Sequence, residues 1–194
     1  MMTESITQSS GCGCSAGTVS GSAQVDKQKV TIDFLYLDLE SCEPCQGSEG
    51  NLEDALNEIS TLLETTGAEV ALNKIHVTSY DQALQFGFVS SPTIRVNGQD
   101  LALEVRESHC SSCSAISGTE TFCRVWDFQG REYKAAPKAL IIEAILKTVY
   151  ANEGQQDKVA SDAGRTANSL ANLKSFFEGT RVAATSCGDG ACAA

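Results

Sequence analysis

Between Lys29 and Leu39, Val30, Ile32 and Phe34 share one parity, and Leu35, Leu37 and Leu39 share the other. Apolar positions on both faces predict a central strand covered on both sides. A helix is expected from Asn51 to Thr66. Asn51 suits an N-cap, Leu52, Leu56, Ile59, Leu62 and Leu63 repeat at helical spacing, and Gly67 ends the run. Glu69 to Thr78 reads as a second strand whose apolar parity slips near Asn73, which predicts a bulge or bend. Ser79-Tyr-Asp-Gln82 is a capping box opening a short helix that ends near Gly87. Thr93 to Val96 is a short strand turned by Asn97-Gly98, with Leu101, Leu103 and Val105 alternating on the return.

Residues 106–121 interrupt this pattern and read as a polar loop. A hairpin follows, from Phe122 to Phe128 and from Arg131 to Lys134 around Gln129-Gly130. Ala136-Pro137 opens a helix to Tyr150, with Pro at its first position. A last amphipathic helix is expected from Thr166 to Glu178, stopped by Gly179. The order predicts an α/β fold with a mixed sheet flanked by helices, a Cys-containing loop insertion and flexible tails. Three regions follow: a disordered tail over 1–27, a domain over 28–150, and a polar linker, helix and second tail over 151–194.

The 194-residue chain carries a net charge of -11. That charge repels nucleic acid and anionic membrane, so neither is an expected partner. The first ten residues lack a basic segment followed by an apolar one, and the expected compartment is the cytoplasm.

Nine cysteines change the picture. In a reducing compartment they point to redox chemistry or soft-metal binding rather than to a disulfide frame. Cys42-Glu-Pro-Cys45 lies between a strand and a helix, where a thiol–disulfide dithiol belongs. There Cys42 is the expected exposed attacker, Cys45 resolves the mixed disulfide, and Pro44 stiffens the loop. In thioredoxin-like folds, the loop before the third strand carries a cis-proline facing the dithiol. Ser91-Pro92-Thr93 stands at that position.

Cys110-Ser-Ser-Cys113 and Cys123 form a second group beside His109. Three readings stay open: a zinc site, a disulfide relay with Cys42 and Cys45, or buried apolar filler. His109 and His76 read as solvated or core histidines rather than ligands. The tails carry Cys12-Gly-Cys14 and Cys187-Gly-Asp-Gly-Ala-Cys192. Such flexible dithiols suit arsenite, mercuric, cuprous or zinc ions, or could pass electrons or metal to an inner site.

Several stretches together resemble one family. They are Leu37-Asp-Leu-Glu-Ser-Cys42-Glu-Pro-Cys45-Gln-Gly with Asn51-Leu52, and Ser90-Ser-Pro92-Thr-Ile-Arg-Val-Asn-Gly98. Cys123-Arg-Val-Trp126 and Gly130-Arg-Glu-Tyr133 leading into Pro137-Lys extend the match over about 29–150. The chain is similar to the DF family (seleno)proteins, a thioredoxin-like family of unknown function. Some members carry selenocysteine at the redox motif. The resemblance implies fold and dithiol chemistry, not a substrate. It departs from thioredoxin itself in lacking Trp before Cys42 and in having Glu43 where Gly is usual.

Two functions are therefore expected. The first is a thiol–disulfide oxidoreductase acting on a protein or small-molecule disulfide through Cys42, Cys45 and Pro92, with no cofactor required. The alternative is a binding protein for a soft metal or metalloid, with zinc, arsenite or mercury held by clustered thiolates. A partner-binding scaffold using the last helix is the plainer third.

Overall fold

Strand β1 (Gln28–Tyr36) is the centre of the main sheet. The computed structural model describes residues 28–102, 104–150 and 167–186, without the side chains of 167 and 182–186. β1 runs parallel to β2 (Ala68–His76) and antiparallel to β3 (Thr93–Val96), which pairs with β4 (Gln99–Asp100). The order β2-β1-β3-β4 makes a mixed sheet of four strands. A second sheet of three strands contains β5 (Arg106–His109), β6 (Phe122–Phe128) and β7 (Arg131–Tyr133) in that order. Helices α1 (Glu43–Thr65), α2 (Tyr80–Gln85), α3 (Ser111–Ser117), α4 (Lys138–Tyr150) and α5 (Ala167–Ser186) flank the two sheets. The architecture is mixed α/β.

The two parities of β1 feed two separate cores. Val30, Ile32 and Phe34 pack with Leu52, Ile59 and Leu63 of α1 and with Ile141, Ile145 and Val149 of α4. Leu35 and, just past the strand, Leu37 join a second cluster with Ala83, Phe88, Leu173, Phe176 and Phe177. That cluster also holds Cys42, Cys45, Cys110, Cys113 and Cys123. The strand's second face is covered only near its C-terminal end, since Asp33 instead accepts a hydrogen bond from Asn73 Nδ2 at the surface.

Four local expectations are corrected. Helix α1 begins at Glu43, eight residues before Asn51, with Cys42 as its N-cap and Pro44 in the first turn. Gly47 and Gly50 are carried within the helix, and Gly47 has a reason. A Cβ there would lie 2.9 Å from the Ala135 Cβ, so the glycine lets the chain before α4 approach. Asn51 is not a cap; its Nδ2 donates to Ala136 O at 2.8 Å, and the Ala136 N–H donates to Ser48 Oγ at 2.9 Å. Second, β2 pairs with β1 in unbroken register through Asn73, so it has no bulge. Third, residues 106–121 are not a plain loop, because they form β5 and α3, closed by Gly118 at φ 68°.

Fourth, Gly179 does not stop the last helix, which continues to Ser186. A Cβ at Gly179 would sit 2.2 Å from Ser117 O, so the glycine is where α5 touches the end of α3. Half of the capping box at Ser79 forms, with the Gln82 N–H donating to Ser79 Oγ at 3.2 Å, while Gln82 Oε1 accepts from the Thr78 N–H at 2.7 Å instead of from Ser79. Asn97 and Gly98, at φ 50° and 80°, make the expected tight turn.

The sheets are joined across one seam. The Arg124 N–H donates to Ser91 O at 2.8 Å, linking β6 to the loop before β3. The fully buried Arg124 guanidinium donates twice to Asp100, at 2.9 Å each, and lies 4.9 Å from the Trp126 ring. A buried charge left without its partner is strongly destabilising, whereas the intact pair is closer to neutral. Residues 12, 14, 187 and 192 lie outside the described residues. Among the described residues, no helix is long and apolar enough to cross a membrane.

Gly179→Ala is expected to destabilise the protein by about 1–3 kcal/mol, because the new methyl must push α5 off the Ser117 carbonyl. Urea unfolding checks this; an unchanged midpoint would mean that α5 does not dock as described.

Candidate functional site

The abrupt end of β1 is fixed by one side chain. Asp38 Oδ1 accepts from the Ser41 N–H at 2.6 Å and from the Cys42 N–H at 3.1 Å. This Asx-type turn delivers Cys42 to the N-cap of α1. Cys45 follows three residues later, in the first turn of the helix. Cys110 is the residue that leads from β5 into α3, and Cys113 lies within α3. Cys123 lies on β6, paired opposite Ser108.

These elements bring four sulfurs together. The Sγ atoms of Cys42, Cys110, Cys113 and Cys123 all lie within 4.8 Å of one another, and all four residues are buried. The Cys123 thiol donates to Cys113 Sγ at 3.3 Å, and the Cys113 thiol donates to Cys42 Sγ at 3.4 Å. The five described cysteines are free thiols. The donors run toward Cys42, so that sulfur is the acceptor end of the chain.

The electrostatics follow this geometry. Hydrogen bonds from Cys110 first, then from Cys113, Cys123 and Cys45, hold the Cys42 thiol far below the ordinary range, against the opposing effect of burial. The positive end of the 23-residue helix α1 acts in the same direction. The Cys110 thiol is lowered to about 7, chiefly by Cys113 and then Cys123. Cys113 and Cys123 are pushed up, each mainly by its contact with Cys110. Cys45 is pushed up by Cys42 and by burial.

Cys45 is not a member of the four-sulfur group. Its Sγ contacts Ser91 Oγ at 3.3 Å, and the same Ser91 Oγ accepts from the Leu37 N–H at 3.1 Å. The Ser91–Pro92 peptide is cis, as the position of Pro92 predicts. The expectation of an exposed attacker at Cys42 is not met, since Cys42 and Cys45 are each 0% exposed. Cys110 is 5% exposed and borders a small cleft of about 30 Å³ with Cys123, His109, Glu43, Pro44 and Lys134.

Of the residues singled out from sequence, Cys42 and the Cys110/Cys113/Cys123 group converge on one centre. His109 is outside it, near Ser114 Oγ at 3.4 Å and edge-on to Phe122. His76, exposed at the end of β2, stacks on Tyr36 and contacts Leu37 O at 2.9 Å, the solvated alternative of the two read for it rather than a core histidine. Asp38, Ser91 and Arg124 were missed. Asp38 had a signal, a carboxylate three residues before the chain must turn. Ser91 had none beyond its place before Pro92.

A family model described as Domain of unknown function (DUF2703) matches residues 30–145. The chain belongs to that family, one defined by shared sequence and by no assigned activity. Neither the curated proteins nor the solved structures include a match.

Ser91→Ala leaves the buried Leu37 N–H without its acceptor and removes the polar contact of Cys45. The expected cost is about 1–3 kcal/mol. Thermal or urea unfolding of the reduced protein measures it, and a loss below experimental error would remove Ser91 from its positioning role.

Proposed function

We propose that this protein binds a soft, thiophilic metal ion at a four-thiolate centre made by Cys42, Cys110, Cys113 and Cys123. The single observation that carries this reading is the mutual approach of the four sulfurs, all within 4.8 Å. A tetrahedral ion with metal–sulfur bonds near 2.3 Å sets its sulfurs about 3.8 Å apart. The present contacts of 3.3 and 3.4 Å, and the 4.8 Å ceiling, bracket that value.

The donor set favours zinc and its softer relatives, cadmium and mercury, over magnesium or calcium, which require oxygen. Arsenite would use three of the four sulfurs. Four thiolates around a divalent ion leave a net charge of about -2, which needs compensation in a buried place. The N-terminus of α1 at Cys42 supplies part of it, and Lys134 stands at the cleft beside Cys110. The ligands come from α1, the start of α3, α3 itself and β6, so the ion would tie both sheets to one point. The tail cysteines Cys12, Cys14, Cys187 and Cys192 then fit as carriers to or from the centre, with a metalloid or metal rather than a macromolecule as the partner.

Replacing Cys12, Cys14, Cys187 and Cys192 by Ser should leave about one Zn²⁺ or Cd²⁺ bound per reduced chain by native mass spectrometry. Cys113→Ser in that background should weaken binding by about 100-fold or more, beyond what loss of an outer contact costs. A fully reduced chain that takes up neither ion would end this reading.

A second reading keeps the dithiol as an oxidoreductase of thioredoxin-like fold. What favours it is the strand order β2-β1-β3-β4 with Cys42 and Cys45 at the start of α1 and the Ser91–Pro92 loop against Cys45. Burial of both sulfurs limits its substrates to small disulfides or to partners that open the site. Under this reading Cys42→Ser abolishes dithiol-driven reduction of a small aromatic disulfide; retained turnover would exclude Cys42 as the nucleophile.

A further inference from the structure

Cys42 has two sets of neighbours. It is a corner of the four-sulfur group, and it is also the first member of Cys42-Glu-Pro-Cys45. Cys45 lies in the first turn of α1, three residues after the N-cap Cys42, and its thiol interacts with that of Cys42. Yet Cys45 is outside the group, and its Sγ is tied to Ser91 Oγ at 3.3 Å. With four thiolates engaged by an ion, Cys45 would be the one described thiol left uncommitted, and it would stand beside a ligand.

The cleft reaches Cys110 and Cys123 directly, and Cys42 lies behind them with its Sγ within 4.8 Å of both. The five thiol residues are between 0% and 5% exposed. The cleft over Cys110 and Cys123 measures about 30 Å³. That is room for roughly two waters, or for a solute of a few atoms. A peroxide fits such a space, whereas the buried Cys42 and Cys45 offer a bulky disulfide no exposed sulfur.

We propose that the centre is a peroxide-responsive metal-release device, in which hydrogen peroxide converts Cys42 and Cys45 to a disulfide and strips Cys42 from the ion. This rests on the four-thiolate reading above and adds its regulation. The chemistry balances in two steps. The Cys42 thiolate attacks one peroxide oxygen, the O–O bond breaks, and Cys42 sulfenic acid and hydroxide form. The Cys45 thiol then attacks the sulfenic sulfur; the S–S bond forms, the S–O bond breaks, and the Cys45 proton leaves with the oxygen as water. Two sulfurs each lose one electron and the peroxide gains both. Three thiolates remain, and a divalent ion held by three sulfurs is lost to competing chelators far more readily than one held by four.

The structure gives Cys45 a specific part. It is not a ligand, so its loss should spare binding while removing the resolving thiol. Ser91 positions Cys45 and is expected to affect the rate rather than the affinity.

The test uses full-length protein with Ser at residues 12, 14, 187 and 192, loaded with one equivalent of Zn²⁺ and treated with hydrogen peroxide. A chromogenic chelator follows the ion, and mass mapping of alkylated peptides locates the disulfide. Release in step with a Cys42–Cys45 disulfide is expected. Cys45→Ser should retain Zn²⁺ with affinity within about threefold and release it at least tenfold more slowly. Release from Cys45→Ser at the parental rate would overturn the proposal. So would a disulfide that joins Cys110, Cys113 or Cys123 instead, a result read on the parent protein and independent of how the variant folds. A protein that never loads Zn²⁺ ends the four-thiolate reading and this one together, before peroxide is added. A loaded protein that keeps its ion through oxidation ends only this one.

Discussion

The position of Cys123 depends on the seam between the two sheets. Its neighbour Arg124 is fully buried, and the Asp100 carboxylate makes that burial tolerable. The same residue's backbone N–H reaches Ser91 O, whose side chain holds Cys45 and the end of β1. Adjacent residues of a strand face opposite ways, so fixing Arg124 toward β3 and β4 turns Cys123 toward α1 and α3. One ion pair thus sets the depth and direction of a sulfur that neither sheet could place alone.

Around that seam, the apolar clusters divide the labour. The first, between the main sheet and α1 with α4, contains no cysteine and is ordinary packing. The second gathers all five described cysteines with aromatic and aliphatic side chains from β1, α2 and α5. Among the described residues, cysteine sulfur is therefore confined to one of two cores. In such surroundings a thiolate is expensive unless other thiols or a cation share its charge, which is why the sulfurs occur as a group.

Much of the fold was legible in the sequence. The first apolar parity of β1, the Asn97-Gly98 turn and the Ser79 cap are local signals that appear where their residues predict, and α4 starts at Lys138, one residue after Pro137. Helix α1 was misplaced because Asn51 read as its N-cap, while Gly47 and Gly50 lie inside the true helix. The reason for Gly47 is a tertiary contact with Ala135, about ninety residues away, which no local pattern encodes. The same holds at Gly179, whose partner is the carbonyl of Ser117. The site was half legible. Each Cys-x-x-Cys announced itself, but joining Cys42 to Cys113 required two sheets to be set against each other, and the choice between Cys42 and Cys45 as the joined member rested on Ser91.

The stretch shared with the family ends at residue 145, whereas Leu173, Phe176 and Phe177 of α5 sit in the same buried cluster as the thiols. Asn172 fastens that helix by bonding both the N–H and the carbonyl of Phe122, the residue just before Cys123. The inherited module and the physical module are consequently different lengths. A fragment cut to the borders of the shared sequence would keep every described sulfur yet lose the wall behind them, turning an interior into a surface.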